Sequence, residues 1–264
     1  MSIKAPWLEY LHRQRKREIE TVFSKCPEKI FPVALELGAG DGFQSKLLSR
    51  YVSKLIATDY NPDILKNVPT PSIEYRLGDA EKVGETFNEK NFDLIFSSSL
   101  LEHLPSPNKA LKGIHKILKD EGITIHIIPT PFWKLGHLLL HIPNLALTFP
   151  KLLAKSAGTG KRRNNNPKTT RIKRSILSRI LIPKPHGASQ SNIQEFYAFS
   201  SRRWEKELNA AGLKLVKIIK GPAMSGYGFG WDFARTVLEN LGLASIYIYI
   251  AVKDIQNNDF KKYF

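Results

Sequence analysis

The tightest constraint on this chain is the stretch Phe31-Pro-Val-Ala-Leu-Glu-Leu-Gly-Ala-Gly-Asp-Gly-Phe43. Its apolar run, Val33 to Leu37, reads as a buried strand. Gly38-Ala39-Gly40-Asp41-Gly42 breaks that run, and helical spacing resumes from Phe43 through Leu48. Glycines at a strand-to-helix turn admit positive φ and let the backbone approach a ligand closely. In an open α/β sheet such a turn lies just beyond the strand's carboxyl end, where ligands bind.

The charge of the turn narrows the ligand. A dinucleotide would lay its pyrophosphate on the helix amides, but Glu36 on the strand and Asp41 in the loop would repel it. A ligand carrying a cationic amine and a sulfonium suits two carboxylates, which favours S-adenosylmethionine over a nicotinamide dinucleotide. Three further strands repeat the pattern. Lys54 to Asp59 ends in an acid 23 positions after Glu36, suited to the two ribose hydroxyls. Ile73 to Arg76 leads into Leu77-Gly78-Asp79-Ala80, whose acid is placed for an adenine amino group. Phe92 to Phe96 runs into Ser97-Ser98-Ser99-Leu100-Leu101-Glu102-His103-Leu104.

With these four motifs in this order, the chain resembles the class I SAM-dependent methyltransferases, in the broad type 11 group with small-molecule acceptors. The resemblance is close over roughly residues 30 to 130. It implies an α/β, Rossmann-like, doubly wound seven-stranded sheet of order 3-2-1-4-5-7-6 with the last strand antiparallel. It also implies cofactor contacts from Glu36, Gly38, Ala39, Gly40, Asp59, Tyr60, Asp79, Ala80 and Ser97. The Glu102-His103 pair resembles a motif of quinone-pathway O-methyltransferases, in which a further upstream carboxylate helps bind a metal. Ser99 stands at that upstream position, so no metal site is expected. Ser97 to Leu100 also departs from the Asn/Asp-Pro-Pro-Tyr/Phe motif of methyltransferases acting on nucleic-acid bases.

The rest of the chain is read in the same way. Residues 7–25 predict an amphipathic helix with Leu8, Leu11, Ile19, Val22 and Phe23 on its apolar face, and Arg13 to Arg17 as a solvated basic run. The core is expected to continue as a helix over 42–52, a helix start at Asn61-Pro62, a polar helix or loop over 80–89 and a helix over 108–119. Asp120-Glu121-Gly122 should turn into a fifth strand over 123–128. A capped helix from Ser200 to Ala211, a sixth strand over 213–219 and a seventh over 244–252 follow. His115 and His126 are expected on packed or solvated faces.

An insertion over 132–195 separates the fifth strand from the rest, within one domain spanning 1–264. Its first part, Phe132 to Leu153, is leucine-rich and interrupted by Pro143 and Pro150. That suits a helical hairpin or cap, over the active site or in a membrane surface. No Asp or Glu occurs between Glu121 and Glu195, and Lys155 to Lys184 carries ten basic residues. A loop and a short basic amphipathic helix around Ile172 to Leu181 are expected there, as interfacial binding to anionic lipid requires. Basic charge alone equally suits RNA; the apolar neighbour favours the membrane.

The net charge is +16, and Cys26 is the single cysteine, which excludes an internal disulfide and fits a reducing compartment. Neither a secretory signal nor a transmembrane helix is expected, so the expected location is cytoplasmic, peripheral on the inner membrane face.

His103, after the fourth strand, and His186, before Gly187 in the turn after the insertion, are the candidate general bases for an oxygen acceptor. A looser resemblance, carried by Leu35 to Gln44, Pro129-Thr-Pro-Phe-Trp133 and His186-Gly187, is to bacterial methyltransferases of cell-surface polysaccharide and glycolipid pathways. It implies a saccharide or lipid-linked acceptor. An RNA methyltransferase and a catalytically silent membrane-binding module are the alternatives.

Overall fold

The computed structural model describes residues 6–88, 90–148, 183–229, 232–256 and 258–264. Runs rich in Ile, Leu, Val and Phe become strands, most fully buried at the centre of the sheet. These are β1 (Phe31–Leu37), β2 (Val52–Asp59), β3 (Ile73–Leu77), β4 (Phe92–Ser98), β5 (Leu118–Pro129), β6 (Lys214–Lys220) and β7 (Ile246–Val252). They form one sheet of order β3-β2-β1-β4-β5-β7-β6. β3 through β5 run parallel, and β7 runs antiparallel to both β5 and β6. This is the order and polarity that the resemblance implied.

Side chains alternate across each strand, so the sheet divides two cores. Leu94 and Phe96 join Phe23, Phe31 and Ile125 on one face; Ile95 joins Leu111, Trp204 and Tyr249 on the other. Helices α1 (Trp7–Phe23) and α2 (Phe43–Leu48) cover the first face. α4 (Pro107–Ile117) covers the second, together with the helix Ser201–Ala210. The short α3 (Val83–Thr86) lies between β3 and β4.

Several boundaries differ from expectation. α2 stops at Leu48, and Val52 already belongs to β2, fully buried against the sheet. Asp120-Glu121-Gly122 is no turn but part of β5, whose pairing with β4 begins at Leu118 opposite Phe92. A register shift between Phe92 and Leu94 absorbs the irregularity. Ser200 does not cap its helix through its side chain; its Oγ donates to the Tyr197 carbonyl instead.

On α1 the expected apolar face is only half right. Ile19, Val22 and Phe23 are buried, but Leu8 is exposed, and the buried stripe continues through Tyr10, Gln14 and Glu18. That stripe is polar where the helix crosses the carboxyl ends of the strands.

After β5, Thr130 caps α5 (Pro131–Leu139) by accepting from the Trp133 N–H at 3.1 Å. The helix breaks at Leu140, and residues 141–148 are again helical. Pro143 sits near the start of that second segment, where a missing N–H costs little. Among the described residues no helix is long and apolar enough to cross a membrane. The expected basic loop and helix between Lys155 and Leu181 lie outside the described residues. The chain returns through the helix Asn192–Ala198, capped by Ser191. The helix Asp232–Asn240 joins β6 to β7.

Candidate active site

The glycine turn leaves β1 at the centre of the sheet, where strand order reverses. Gly40 has φ +58° and a Cβ placed on it would meet nothing within 4 Å, so the turn presents bare backbone to an open cradle. The loop is braced from β2. The Gly38 and Ala39 N–H groups donate to the Thr58 carbonyl at 2.8 and 3.0 Å. Asp59 Oδ2 accepts from the Gly40 N–H at 2.8 Å, and its Oδ1 accepts from the Asn61 N–H at 2.9 Å. Tyr60, which is exposed, and Asp79 follow the carboxyl ends of β2 and β3. Asp79 itself caps the turn Ala80–Lys82 by accepting from the Glu81 N–H at 2.9 Å.

Glu36 is buried under the turn and accepts from Ser45 Oγ at 2.5 Å. Burial pushes its carboxyl up to about 7, a rise that the Ser45 hydrogen bond and the Arg15 charge oppose. The second acid of the loop, Asp41, pairs with His12 at 2.6 Å, and the His12 ring stacks on Phe43 at 3.9 Å.

α1 closes the cradle with a polar network that the sequence did not reveal. Glu18 Oε2 accepts from Arg15 Nη1 at 2.8 Å, from Ser98 Oγ at 3.0 Å and from Gln44 Nε2 at 3.2 Å. Arg15 Nη1 also donates to Ser98 Oγ at 2.5 Å. The basic run is therefore not one solvated face. Arg15 turns inward, Arg17 pairs with Glu239 at 2.8 Å, and Arg13 and Lys16 face solvent. The available signal was Glu18 itself, an acid three residues after Arg15 and one before the buried Ile19.

Ser97 turns toward the sheet interior. Its Oγ and His126 Nδ1 lie 2.7 Å apart, while His126 Nε2 is 2.8 Å from Thr124 Oγ1. His126 is fully buried, which lowers its pKa to about 3, so it is a packed neutral ring. His115 is half-buried on α4, its ring against Gly212.

The lip beyond β4 brings the adjacent Glu102 and His103 together with His186, which is distant in sequence. Glu102 is buried, and neither of its carboxylate oxygens has a hydrogen-bond partner among the described residues. His103 Nε2 stands 3.9 Å from Glu102 Oε1, and the His103 and His186 rings meet edge to face at 4.5 Å. One ligand atom from each of Glu102, His103 and His186 lies within 4.8 Å of the others. The turn that delivers His186 is fixed to the lip: the Ala188 N–H donates to the Glu102 carbonyl at 3.1 Å. Gly187, at φ +72°, lies so close that a Cβ would come within 2.6 Å of that carbonyl oxygen. Burial raises the Glu102 carboxyl to about 8. Burial also lowers His103, helped by the Arg15 charge, and lowers His186 to about 4 with help from His103, His137 and Lys134. Burial thus favours the neutral form of both imidazoles.

Trp133 packs against His186 at 5.0 Å and ties the lip to α5. One turn along, His137 and His141 flank the Tyr227 hydroxyl, with His141 at 2.6 Å. A buried ion pair, Lys134 with Glu195, joins α5 to Asn192–Ala198, and Lys134 also donates to Asn192 Oδ1 at 2.6 Å. Lys134 stands alone in an apolar run and Glu195 ends the acid-free stretch, which was the only hint that they meet. On the other side of α5 lies a cavity of about 120 Å³, lined chiefly by Tyr10, Phe132, Leu140, Met224, Phe229 and Leu238. The glycine- and aromatic-rich connection after β6 supplies part of its wall.

Comparison with known proteins places this geometry. Residues 35–126 match the family described as a methyltransferase domain. The human protein named arginine-hydroxylase NDUFAF5, mitochondrial, is 37% identical over 101 residues, which are 36% of this chain and 28% of that protein. The malonyl-[acyl-carrier protein] O-methyltransferase of Haemophilus ducreyi is 31% identical over 123 residues, 43% of this chain and 46% of the relative. The matches thus span less than half the length of these relatives. In overall fold the chain is similar to a SAM-dependent methyltransferase from Thermotoga maritima, with a TM-score of 0.54 at 16% identity over 94% of this chain and 93% of that one. The open glycine cradle and the buried acid beneath it fit a cationic nucleoside. Residues 35–126 match the methyltransferase-domain family, and the chain shares the fold of SAM-dependent methyltransferases.

Proposed function

We propose that this protein methylates an oxygen of a lipid-linked or saccharide acceptor at the cytoplasmic face of a membrane, with the acceptor seated against His103 and His186. The observation that carries this reading is the pair of imidazoles 4.5 Å apart at the end of β4, beside the cofactor cradle. When bound, S-adenosylmethionine supplies a methyl group on a sulfonium, and displacement by an acceptor oxygen breaks the carbon–sulfur bond and leaves the neutral thioether. The chain's task is alignment and removal of the hydroxyl proton. Glu36, Gly38, Ala39, Gly40, Asp59, Tyr60, Asp79 and Ala80 hold the donor, Ser97 supports the floor through His126, and His103 and His186 activate the acceptor.

Two features support an acceptor with an apolar part. The cavity beside α5 is walled mainly by apolar side chains. Leu135, Leu139 and Ile142 are exposed at helical spacing along α5 and the segment after it, leading toward the basic tract of the sequence. An apolar stripe beside basic charge is the composition of an interfacial element.

The test is incubation with methyl-labelled S-adenosylmethionine and a lysate of the source organism, followed by counting label in lipid, glycan, RNA and protein fractions. Label in lipid or glycan is expected. Label in RNA would overturn the acceptor assignment and recast the basic tract as a nucleic-acid clamp.

A further inference from the structure

We propose that Glu102, His103 and His186 form a binding site for a divalent first-row transition-metal ion. The inference rests on the reading of this lip as the acceptor site, and it says how the two imidazoles activate the acceptor.

The donor set carries the argument. A buried carboxylate with neither oxygen partnered is a costly group to keep. Glu102 is such a group among the described residues, with His103 at 3.9 Å and His186 within the same 4.8 Å cluster. Around a tetrahedral ion with bonds of about 2.0 Å, donors lie about 3.3 Å apart, so modest ring rotations close the set. Ser99, which takes the place of an upstream carboxylate, is not needed, because His186 arrives from the far end of the insertion. Its backbone is held on the Glu102 carbonyl through Ala188. The cations nearest the lip are each matched by a carboxylate: Arg15 by Glu18, Lys134 by Glu195 and Arg203 by Glu207.

Two imidazoles and one carboxylate select zinc, iron, cobalt or manganese over magnesium, which prefers oxygen ligands. Three protein ligands leave positions open, and His103 is half-exposed, so those positions face the acceptor. An acceptor hydroxyl bound there would lose its proton more readily by Lewis-acid polarisation. The expectation of no metal followed from Ser99 alone.

The test uses the full chain, stripped with EDTA and titrated with cobalt(II) chloride, with zinc(II) by competition and magnesium(II) as control. Saturable binding of one equivalent of cobalt with d–d absorption bands is expected, and little response to magnesium. Glu102→Gln, His103→Ala and His186→Ala should each weaken cobalt at least about 10- to 100-fold, since loss of a mere supporting group costs that much. S-adenosylmethionine affinity and the far-UV circular dichroism of each variant report folding; His103, the most exposed of the three, is the variant least coupled to the core. Absence of saturable cobalt or zinc binding, or affinity unchanged in His103→Ala and His186→Ala, overturns the site. Cobalt binding without S-adenosylmethionine binding would instead sink the methyltransferase reading and leave the metal site standing.

Discussion

Asp59 and Gly40 are joined across the cofactor cradle: the Gly40 N–H donates to Asp59 Oδ2 at 2.8 Å, although they stand 19 positions apart in sequence. The carboxylate thus shapes the loop. Asp59→Ala should abolish measurable S-adenosylmethionine binding in calorimetry. It should also lower stability by about 1–3 kcal/mol through two orphaned backbone donors. Retained wild-type affinity would show that Asp59 is not a cofactor ligand.

Glu36 sets a pH dependence. Its pKa of about 7 in the empty protein means that binding a cation at lower pH must expel a proton. Affinity for S-adenosylmethionine should therefore fall as pH drops below about 7, by up to about tenfold per unit. It should plateau above until the ligand's own amine deprotonates near 8. Glu36→Gln should weaken binding and flatten the acid limb of calorimetric titrations run from pH 5.5 to 7.5.

The Lys134–Glu195 pair roots both ends of the insertion. Removing one partner leaves an uncompensated buried charge, so Lys134→Met should cost about 3–5 kcal/mol in urea unfolding. Lys134→Met combined with Glu195→Leu should recover most of that loss. An equal loss in single and double variants would mean that the pair contributes through packing alone.

Gly187→Ala forces a side chain toward the Glu102 carbonyl at a positive φ. It should displace His186 and lower kcat while leaving S-adenosylmethionine affinity unchanged. Turnover equal to wild type would argue that His186 has no part in the reaction.

His126 contributes to acid sensitivity. Buried and neutral, with its pKa lowered to about 3 in the folded protein, it binds fewer protons folded than unfolded between pH 6.5 and 3. Its stabilising contribution is complete above pH 6.5 and is lost as pH falls, by about 1.4 kcal/mol per unit at most. Glu36 and Glu102, raised on folding, act in the opposite sense between about pH 4.5 and 8. Chemical denaturation of His126→Gln should show a shallower fall, or a steeper rise, of stability on acidification than the wild type.

The sheet order followed from the family resemblance; the strand-turn-helix at Phe31–Phe43 and the acids at the strand ends were legible in the residues themselves. Each is a local pattern: apolar runs of strand length, glycines where φ must be positive, and a carboxylate where a strand stops. Boundaries such as the end of α2 at Leu48 were less legible, because burial of Val52 in the sheet outweighs local helical spacing. His103 and His186 were each legible as histidines in turns, but not as neighbours.

Only the tertiary structure placed the Arg15–Glu18–Ser98 network, the Lys134–Glu195 pair and the Glu102–His103–His186 lip. Their members come from segments up to 84 residues apart, and no periodicity links them. Sequence by itself determined the cradle, since its geometry is written in neighbouring residues. Folding decided what faces it, because that depends on which buried charges find a partner once distant helices pack.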